Sequence, residues 1–205
     1  MKFLKKQKLA TQISLLTSII TVAGLLLLWG SVIYKTTATV KANLTNQMTD
    51  AVKARAAIID DYVASAEEYM TAFALSKEVE ALLHDPENPD LIQQAQQYTE
   101  EFAAVKGIFE GLYIATPETY VRTHTAKDVV GMITRPGDKL EPFQQTILSQ
   151  PKLTNLGIMK SPSTGAMILS MYYPVFDGQQ CIGYVGAGVY ANTLMDSLLE
   201  LEIHG

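Results

Sequence analysis

Among the 205 residues there is one cysteine, Cys181. A lone thiol excludes an internal disulfide and any multi-cysteine zinc site. Its most economical place is as a small core residue in a strand. With 13 glycines and 8 prolines the chain is neither a collagen nor a low-complexity polymer. The three histidines, His84, His124 and His204, show no metal-ligand spacing, and no nucleophile elbow surrounds any serine. Neither a catalytic residue, nor a metal, nor a cofactor is therefore expected. Acid is missing from the first eight residues, which hold Lys2, Lys5, Lys6 and Lys8. That leaves 12 of the 16 bases to set against all 21 acids in the remainder. So acidic a remainder excludes nucleic acid as a partner.

What is present is 48% hydrophobic and 18% charged, the balance of a chain with a packed core. From Leu9 to Tyr34 no residue carries a charge, and Ile19 to Trp29 is almost wholly apolar. About 20 such residues cross a bilayer as a helix. The lysines before this run outnumber Lys35 and Lys41 just after it. The bias predicts a cytoplasmic tail at 1–8, a transmembrane helix at 9–34 and everything later outside. A cleaved signal peptide is the alternative. Its apolar core is shorter, about 7–15 residues, and it ends in a small-x-small site. No clean site of that kind follows here.

Between Gly30 and Pro86 there is no glycine or proline. Val40, Leu44, Met48 and Val52 recur every four residues. Ile59, Val63, Ala66, Met70 and Phe73 continue the stripe, followed by Val79, Leu82 and Leu83. The spacing predicts one near-continuous helix of roughly 70 Å, with two helices and an unmarked break as the alternative. A helix that long needs a second chain, or a later part of its own, at its membrane end. A homodimer through the long helix is expected. Asp85 to Asp90, with prolines at 86 and 89, ends it and starts another helix. Leu91 to Val105 gives that helix its apolar face, and Gly107 suits its C-cap.

The period then falls to two. Ile108–Ala115 and Tyr120–His124 read as a hairpin around Thr116–Thr119. Asp128–Leu140 is a loop, and Leu140–Leu148 a short helix. Thr154–Lys160, Ala166–Phe176 and Gln180–Tyr190 are three further strands, the last two joined by Asp177-Gly178. Ala191 to Ile203 reads as helix again. One antiparallel sheet of five strands packed on the long helix makes an α+β fold. Asp196, Glu200, Glu202 and His204 interrupt the segment after Tyr190, so a membrane helix does not begin there. The expected organisation is a sensing module at 35–190 and the start of a connector helix at 191–205. A second sensing module is expected to follow in the intact gene.

Several stretches together resemble a known family. They are Gly111-Leu112-Tyr113-Ile114-Ala115, Tyr120-Val121-Arg122-Thr123-His124, Ser161-Pro162-Ser163-Thr164-Gly165, Tyr173-Pro174-Val175-Phe176-Asp177-Gly178 and Cys181-Ile182-Gly183-Tyr184-Val185-Gly186. In this order, behind a lysine-rich tail and one apolar helix, the chain resembles bacterial transmembrane chemoreceptors. These are the methyl-accepting chemotaxis proteins, whose outer Cache, or PAS-like, domain senses small molecules. The resemblance covers about residues 9–203. Sensor kinases and cyclases share that outer domain, so it implies a receptor without naming its output. A membrane-anchored scaffold with no ligand is the remaining alternative.

Strict alternation on the second strand sends Tyr120, Arg122 and His124 to one face. On the first strand Phe109, Gly111 and Tyr113 share a face, and on the fourth Ile168, Ser170 and Tyr172. A ligand set of Tyr113, Tyr120, Arg122, His124, Ser170 and Tyr172 follows. Its donors are few and stand among aromatic walls, as a small polar ligand requires. The resemblance puts the pocket between the sheet and the loop–helix excursion. Arg122 is able to clamp a carboxylate with both arms of its fork. Arg122 and His124, and Lys160 on the third strand, have a plainer alternative on a solvated sheet face. Amino-acid-sensing members of the family follow the arginine with a tryptophan and an aromatic pair, and carry an aspartate late in the last strand. Here Arg122 precedes Thr123-His124-Thr125, and the late position is Gly188. The expectation is an organic anion rather than an α-amino acid. Gly183, Gly186 and Gly188 lie inside a strand with spacing reversed from a dinucleotide loop. They are expected to serve close sheet packing.

The topology has a direct check. With Cys181→Ala removing the native thiol, Thr37→Cys should react with a membrane-impermeant maleimide on intact cells. Labelling only after permeabilisation would reverse the orientation.

Overall fold

A computed structural model describes residues 9–162 and 164–191. The chain divides into two compact units, 1–54 and 55–205. In the first, every described residue is helical and belongs to α1 (Leu9–Ala74), which ends in the second unit. α1 contains a stretch long and apolar enough to cross a membrane, with a mean hydropathy of 2.1 and none of it buried. The Thr17 and Thr21 hydroxyls inside it donate to the carbonyls of Ile13 and Thr17 at 3.1 and 2.9 Å. They are thus satisfied without water, as a hydrocarbon environment demands. Val40, Leu44, Met48 and Val52 are exposed.

The second unit adds α2 (Lys77–His84), α3 (Pro89–Lys106), β1 (Phe109–Ala115), β2 (Val121–His124), α4 (Leu140–Ile147), β3 (Thr154–Lys160), β4 (Met167–Asp177) and β5 (Gln180–Tyr190). The strands form one antiparallel sheet in the order β2-β1-β5-β4-β3. This is the α+β architecture expected from the sequence. The helical stripe does break before Leu83, however. α1 stops at Ala74, Leu75 turns outward to solvent, and Ser76 caps α2 by accepting the Val79 N–H at 3.4 Å. A serine that can satisfy an orphan N–H offers the backbone an alternative to continuing, and no glycine or proline is needed. The next boundary is marked as expected. The Asn88 side chain accepts from the Asp90 and Leu91 N–H groups at 3.1 and 3.4 Å, Pro89 opens α3, and Gly107 closes it at φ 66°. Residues 192–205, and most of the expected connector helix, lie outside the described residues.

One face of the sheet is sealed by the helices. Ala66, Met70 and Phe73 of α1 and Val79, Leu82 and Leu83 of α2 pack on Leu112, Ile114, Leu169, Met171, Val185, Ala187 and Val189. Gly183 is needed there, because a Cβ on it would sit 2.7 Å from the Ala115 carbonyl oxygen and against the Leu83 side chain. The other face carries a smaller cluster in which α4, through Phe143 and Ile147, covers Ala115, Val121, Tyr172 and Tyr184.

Each of the four strand pairings carries a register shift, and two of these shifts involve β1. The pairing of β1 with β5 shifts between Phe109 and Gly111, and that of β1 with β2 between Ile114 and Ala115. An extra residue on one strand re-aims the side chains around it. Phe109 consequently joins the helix-side core instead of sharing a face with Gly111 and Tyr113. Phe73 is wholly buried, with its ring stacked on Tyr98 at 5.3 Å and tilted against Phe102 at 5.1 Å. Phe73→Ala should lower unfolding free energy by about 3–5 kcal/mol, measured by urea denaturation of the full chain in detergent.

Candidate functional site

The sheet face away from α1–α3 holds a cavity of about 240 Å³. That is small beside the roughly 300–1,000 Å³ of drug-sized pockets and suits a small metabolite. Its floor exists because side chains are missing. In the sheet Gly188 pairs with both Gly111 and Ser170, and Gly186 with both Tyr113 and Tyr172. A Cβ on Gly186 would collide with the Tyr113 ring, and one on Gly188 would meet Glu110 Oε2 at 2.8 Å. The glycines thus serve close packing, as expected, and Gly188, with Gly111 opposite it, also leaves bare backbone in the cavity lining.

Four of the six sequence-selected residues line it: Tyr113, His124, Ser170 and Tyr172. Tyr120 and Arg122 do not. Arg122 forms an ion pair with Glu87 in the α2–α3 linker, and its guanidinium stacks on the Tyr120 ring at 4.4 Å. The cause is the bulge on β2. His124 pairs with Tyr113 and Val121 with Ala115, so Arg122 and Thr123 together face Ile114. One residue is thereby added to the alternation, and Arg122 leaves the face that His124 keeps. Lys160 is exposed and outside the lining.

The cation in the lining is Arg135, from the loop before α4. Its Nη2 donates to the Tyr172 hydroxyl at 3.0 Å and its Nη1 to the Thr134 carbonyl at 2.9 Å. The guanidinium lies 5.2 Å from the Phe143 ring centroid. The loop is moored to the β1–β2 turn. Thr119 Oγ1 accepts the Arg135 N–H at 3.0 Å, and the Thr119 carbonyl accepts the Thr134 N–H at 3.0 Å. Thr119 takes φ 64°, which a β-branched residue adopts only when its surroundings hold it there. The second charged side chain in the lining, among the described residues, is Glu110 at the β1 bulge. Its Oε1 accepts from the Ser161 and Thr164 hydroxyls at 2.8 and 2.6 Å. Sequence alternation gave neither residue a place. The signal for Arg135 was an arginine ahead of Pro136 inside the very excursion expected to cover the pocket. For Glu110 there was no signal short of knowing the bulge.

The remaining lining is aromatic and mostly neutral. The Tyr113 and His124 rings stack at 5.3 Å, and Tyr113 meets Tyr184 edge-on at 6.0 Å. Burial, helped by Tyr172, pushes the Tyr184 hydroxyl up to about 12, against the opposing pull of its Thr134 contact and of Arg135. Burial, with Tyr184 and Tyr172 adding to it, raises Tyr113 too. Both phenols are therefore neutral donors at physiological pH. His124 Nδ1 accepts the Ala126 N–H at 2.8 Å, which assigns the proton of the neutral ring to Nε2. Burial lowers the His124 pKa, against the upward pull of Glu110 and Asp128. Cys181, also raised by burial, is an unreactive thiol. No group of three or more metal-ligating side chains occurs among the described residues.

No family model matches this chain, and no curated protein matches it. Solved structures do match it in fold. The sensor domain of the histidine kinase DctB from V. cholerae superposes with a TM-score of 0.62 at 13% identity, covering 75% of this chain and 58% of that one. The sensory domain of the Campylobacter jejuni chemoreceptor Tlp3, solved with isoleucine bound, gives 0.60 at 13% identity, covering 78% and 64%. The ligand-binding domain of the Pseudomonas fluorescens chemoreceptor CtaA, in complex with L-alanine, gives 0.54 at 17%, covering 76% and 63%. The chain thus spans about three fifths of the length of these structures. At such identities the likeness is one of fold.

The lowered His124 pKa has a sign. The unfolded ring binds its proton near pH 6.5 and the folded ring only at lower pH. Stability from the neutral ring is complete above pH 6.5 and is lost as pH falls from there through the folded value. Thermal melts should show the wild type losing more stability between pH 7.5 and 5 than His124→Gln does. Parallel losses would remove His124 as the cause.

Proposed function

We propose that the chain is the ligand-sensing part of a bacterial transmembrane chemoreceptor, with its α+β unit outside the membrane. The cavity binds a small organic molecule through a carboxylate. In this reading the apolar part of α1 is the membrane anchor, and α1 passes the conformational signal. The site binds its ligand and catalyses nothing.

The observation that carries the proposal is Arg135. A permanent cation lines a metabolite-sized cavity, and among the described residues two of its five N–H donors are engaged, by Tyr172 and Thr134. Its fork geometry matches a carboxylate. The fold supports the sensing role, because solved chains of this fold are sensor domains of chemoreceptors and of a histidine kinase. Isoleucine and L-alanine, bound in two of them, both carry a carboxylate. The signalling path is supported by the Tyr62 hydroxyl of α1, which donates at 2.8 Å to the carbonyl of Tyr190, the last residue of β5. The exposed stripe of Val40, Leu44, Met48 and Val52 supports pairing with a second copy along α1. A histidine-kinase or cyclase output is the second reading. It is favoured by DctB and by a GGDEF-family protein from Vibrio parahaemolyticus with the same fold, matching at a TM-score of 0.51.

The test is a thermal-shift screen of organic acids and amino acids, followed by calorimetric titration. Arg135→Ala removes charge-assisted hydrogen bonds worth ~1.5–3 kcal/mol, so affinity should fall roughly 10- to 150-fold. Arg122→Ala, outside the cavity, should leave affinity within about twofold of wild type. The reverse ranking, or the absence of any carboxylate ligand, would refute the proposal.

A further inference from the structure

We infer that Thr119, in the β1–β2 turn, is the positioning residue of the cation: its hydroxyl holds Arg135 in the cavity wall, from a backbone conformation that the turn alone would give to glycine. The inference rests on the carboxylate reading of Arg135 and names what sets the position of that side chain. β1 and β2 are joined by a loop of Pro117, Glu118 and Thr119. It is closed by the Thr116 N–H donating to the Tyr120 carbonyl at 3.0 Å and the Thr119 N–H donating to the Thr116 carbonyl at 2.9 Å. Three-residue hairpin loops commonly end on a residue in the left-handed region, and glycine is its usual occupant. Here the occupant is Thr119 at φ 64°, the one non-glycine residue with a positive φ among the described residues. A β-branched side chain is poorly suited to that region. A local rule broken in this way points to a demand from elsewhere in the structure.

What glycine would lack is the hydroxyl. Thr119 is wholly buried, and its Oγ1 accepts the Arg135 N–H at 3.0 Å. Its carbonyl accepts the Thr134 N–H at 3.0 Å, so consecutive backbone groups of the excursion end on this residue. The same turn holds the support behind the cation. Gln144 Nε2 of α4 donates to the Pro117 carbonyl at 2.9 Å, and the neighbouring Phe143 backs the guanidinium. From a fixed backbone, Arg135 reaches Tyr172 with Nη2 and the Thr134 carbonyl with Nη1. A long side chain tethered at its root and at its tip has few rotamers left to lose when an anion arrives. Glycine at 119 would suit the turn and free the root. Serine would keep the acceptor.

The experiment uses the full chain in lipid nanodiscs, with isotope-labelled arginine followed by NMR relaxation. The arginines are Arg55, Arg122 and Arg135, so Arg135→Ala assigns the Arg135 Nε resonance by its loss. Arg135 Nε should relax as a rigid group in the wild type and in Thr119→Ser, and as a mobile side chain in Thr119→Gly. Arg122 Nε should be the same in all three, which reports an intact fold. The same proteins are titrated calorimetrically with acetate, lactate, succinate and benzoate. For any of these that binds the wild type, Thr119→Gly should weaken affinity roughly 5- to 30-fold, the rotamer freedom regained by one arginine. It should add nothing to the loss in Arg135→Ala. A residue that only shapes the turn would change the melting temperature and leave Arg135 as rigid as before. That result, a mobile Arg135 in the wild type or in Thr119→Ser, or an equal loss of affinity on the Arg135→Ala background would overturn the inference. If none of the acids binds, the carboxylate reading falls, and the relaxation of Arg135 by itself decides the role of Thr119.

Discussion

The second unit depends on β5 meeting two opposed demands. This central strand pairs with β1 on one side and β4 on the other. On one face Val185, Ala187 and Val189 must be buried under the helices. The opposite face alternates Tyr184, Gly186 and Gly188; Gly186 admits the Tyr113 ring, and at Gly188 the strand gives up side-chain packing beside the cavity. Glycine in a strand interior costs stability through backbone entropy and lost contacts. Strand pairing on both sides and a well-filled helix-side core offset that cost here. The cavity is therefore a property of one strand's composition, held in place by the rest of the unit.

Much of this was readable from residue patterns. The α+β class, the five strands, the Asn88–Pro89 helix start and the Gly107 stop all follow from local chemistry that acts within a few residues. Two failures have one origin. Arg122 was assigned to the ligand face and Phe109 to the face of Gly111, because alternation was counted without interruption. Each bulge inserts one residue and reverses the parity beyond it. A bulge is a property of paired strands, so neither strand alone announces it. The break at Leu75–Ser76 differs in kind. Serine is tolerated within helices and preferred at their starts, and tertiary packing decides which role it takes.

The two arginines show how the same side chain is put to different uses. Arg122 holds the α2–α3 linker against β2, between the exposed Glu87 and the Tyr120 ring, with its Nε buried and lacking a hydrogen-bond partner. Arg135 instead stands on a loop whose backbone is moored at Thr119 and whose guanidinium is backed by Phe143. Rigid mooring matters for recognition, because a long cationic side chain otherwise loses rotamer freedom on binding, at a cost of about 2 kcal/mol. The strained turn at Thr119 puts that ordering into the folded protein before any ligand arrives.

The hydrogen bond from Tyr62 to the Tyr190 carbonyl gives the unit a mechanical property. Gly188, on the cavity floor, lies two residues before Tyr190, about 7 Å along the strand at ~3.3 Å per residue. A strand laddered on both sides is stiff along its axis and compliant to tilt. The cavity floor and the atom gripped by α1 therefore belong to one stiff length of strand, so a displacement of either would be felt at the other. The lever arm between them is set by two residues of strand, and the stability of the core does not enter it.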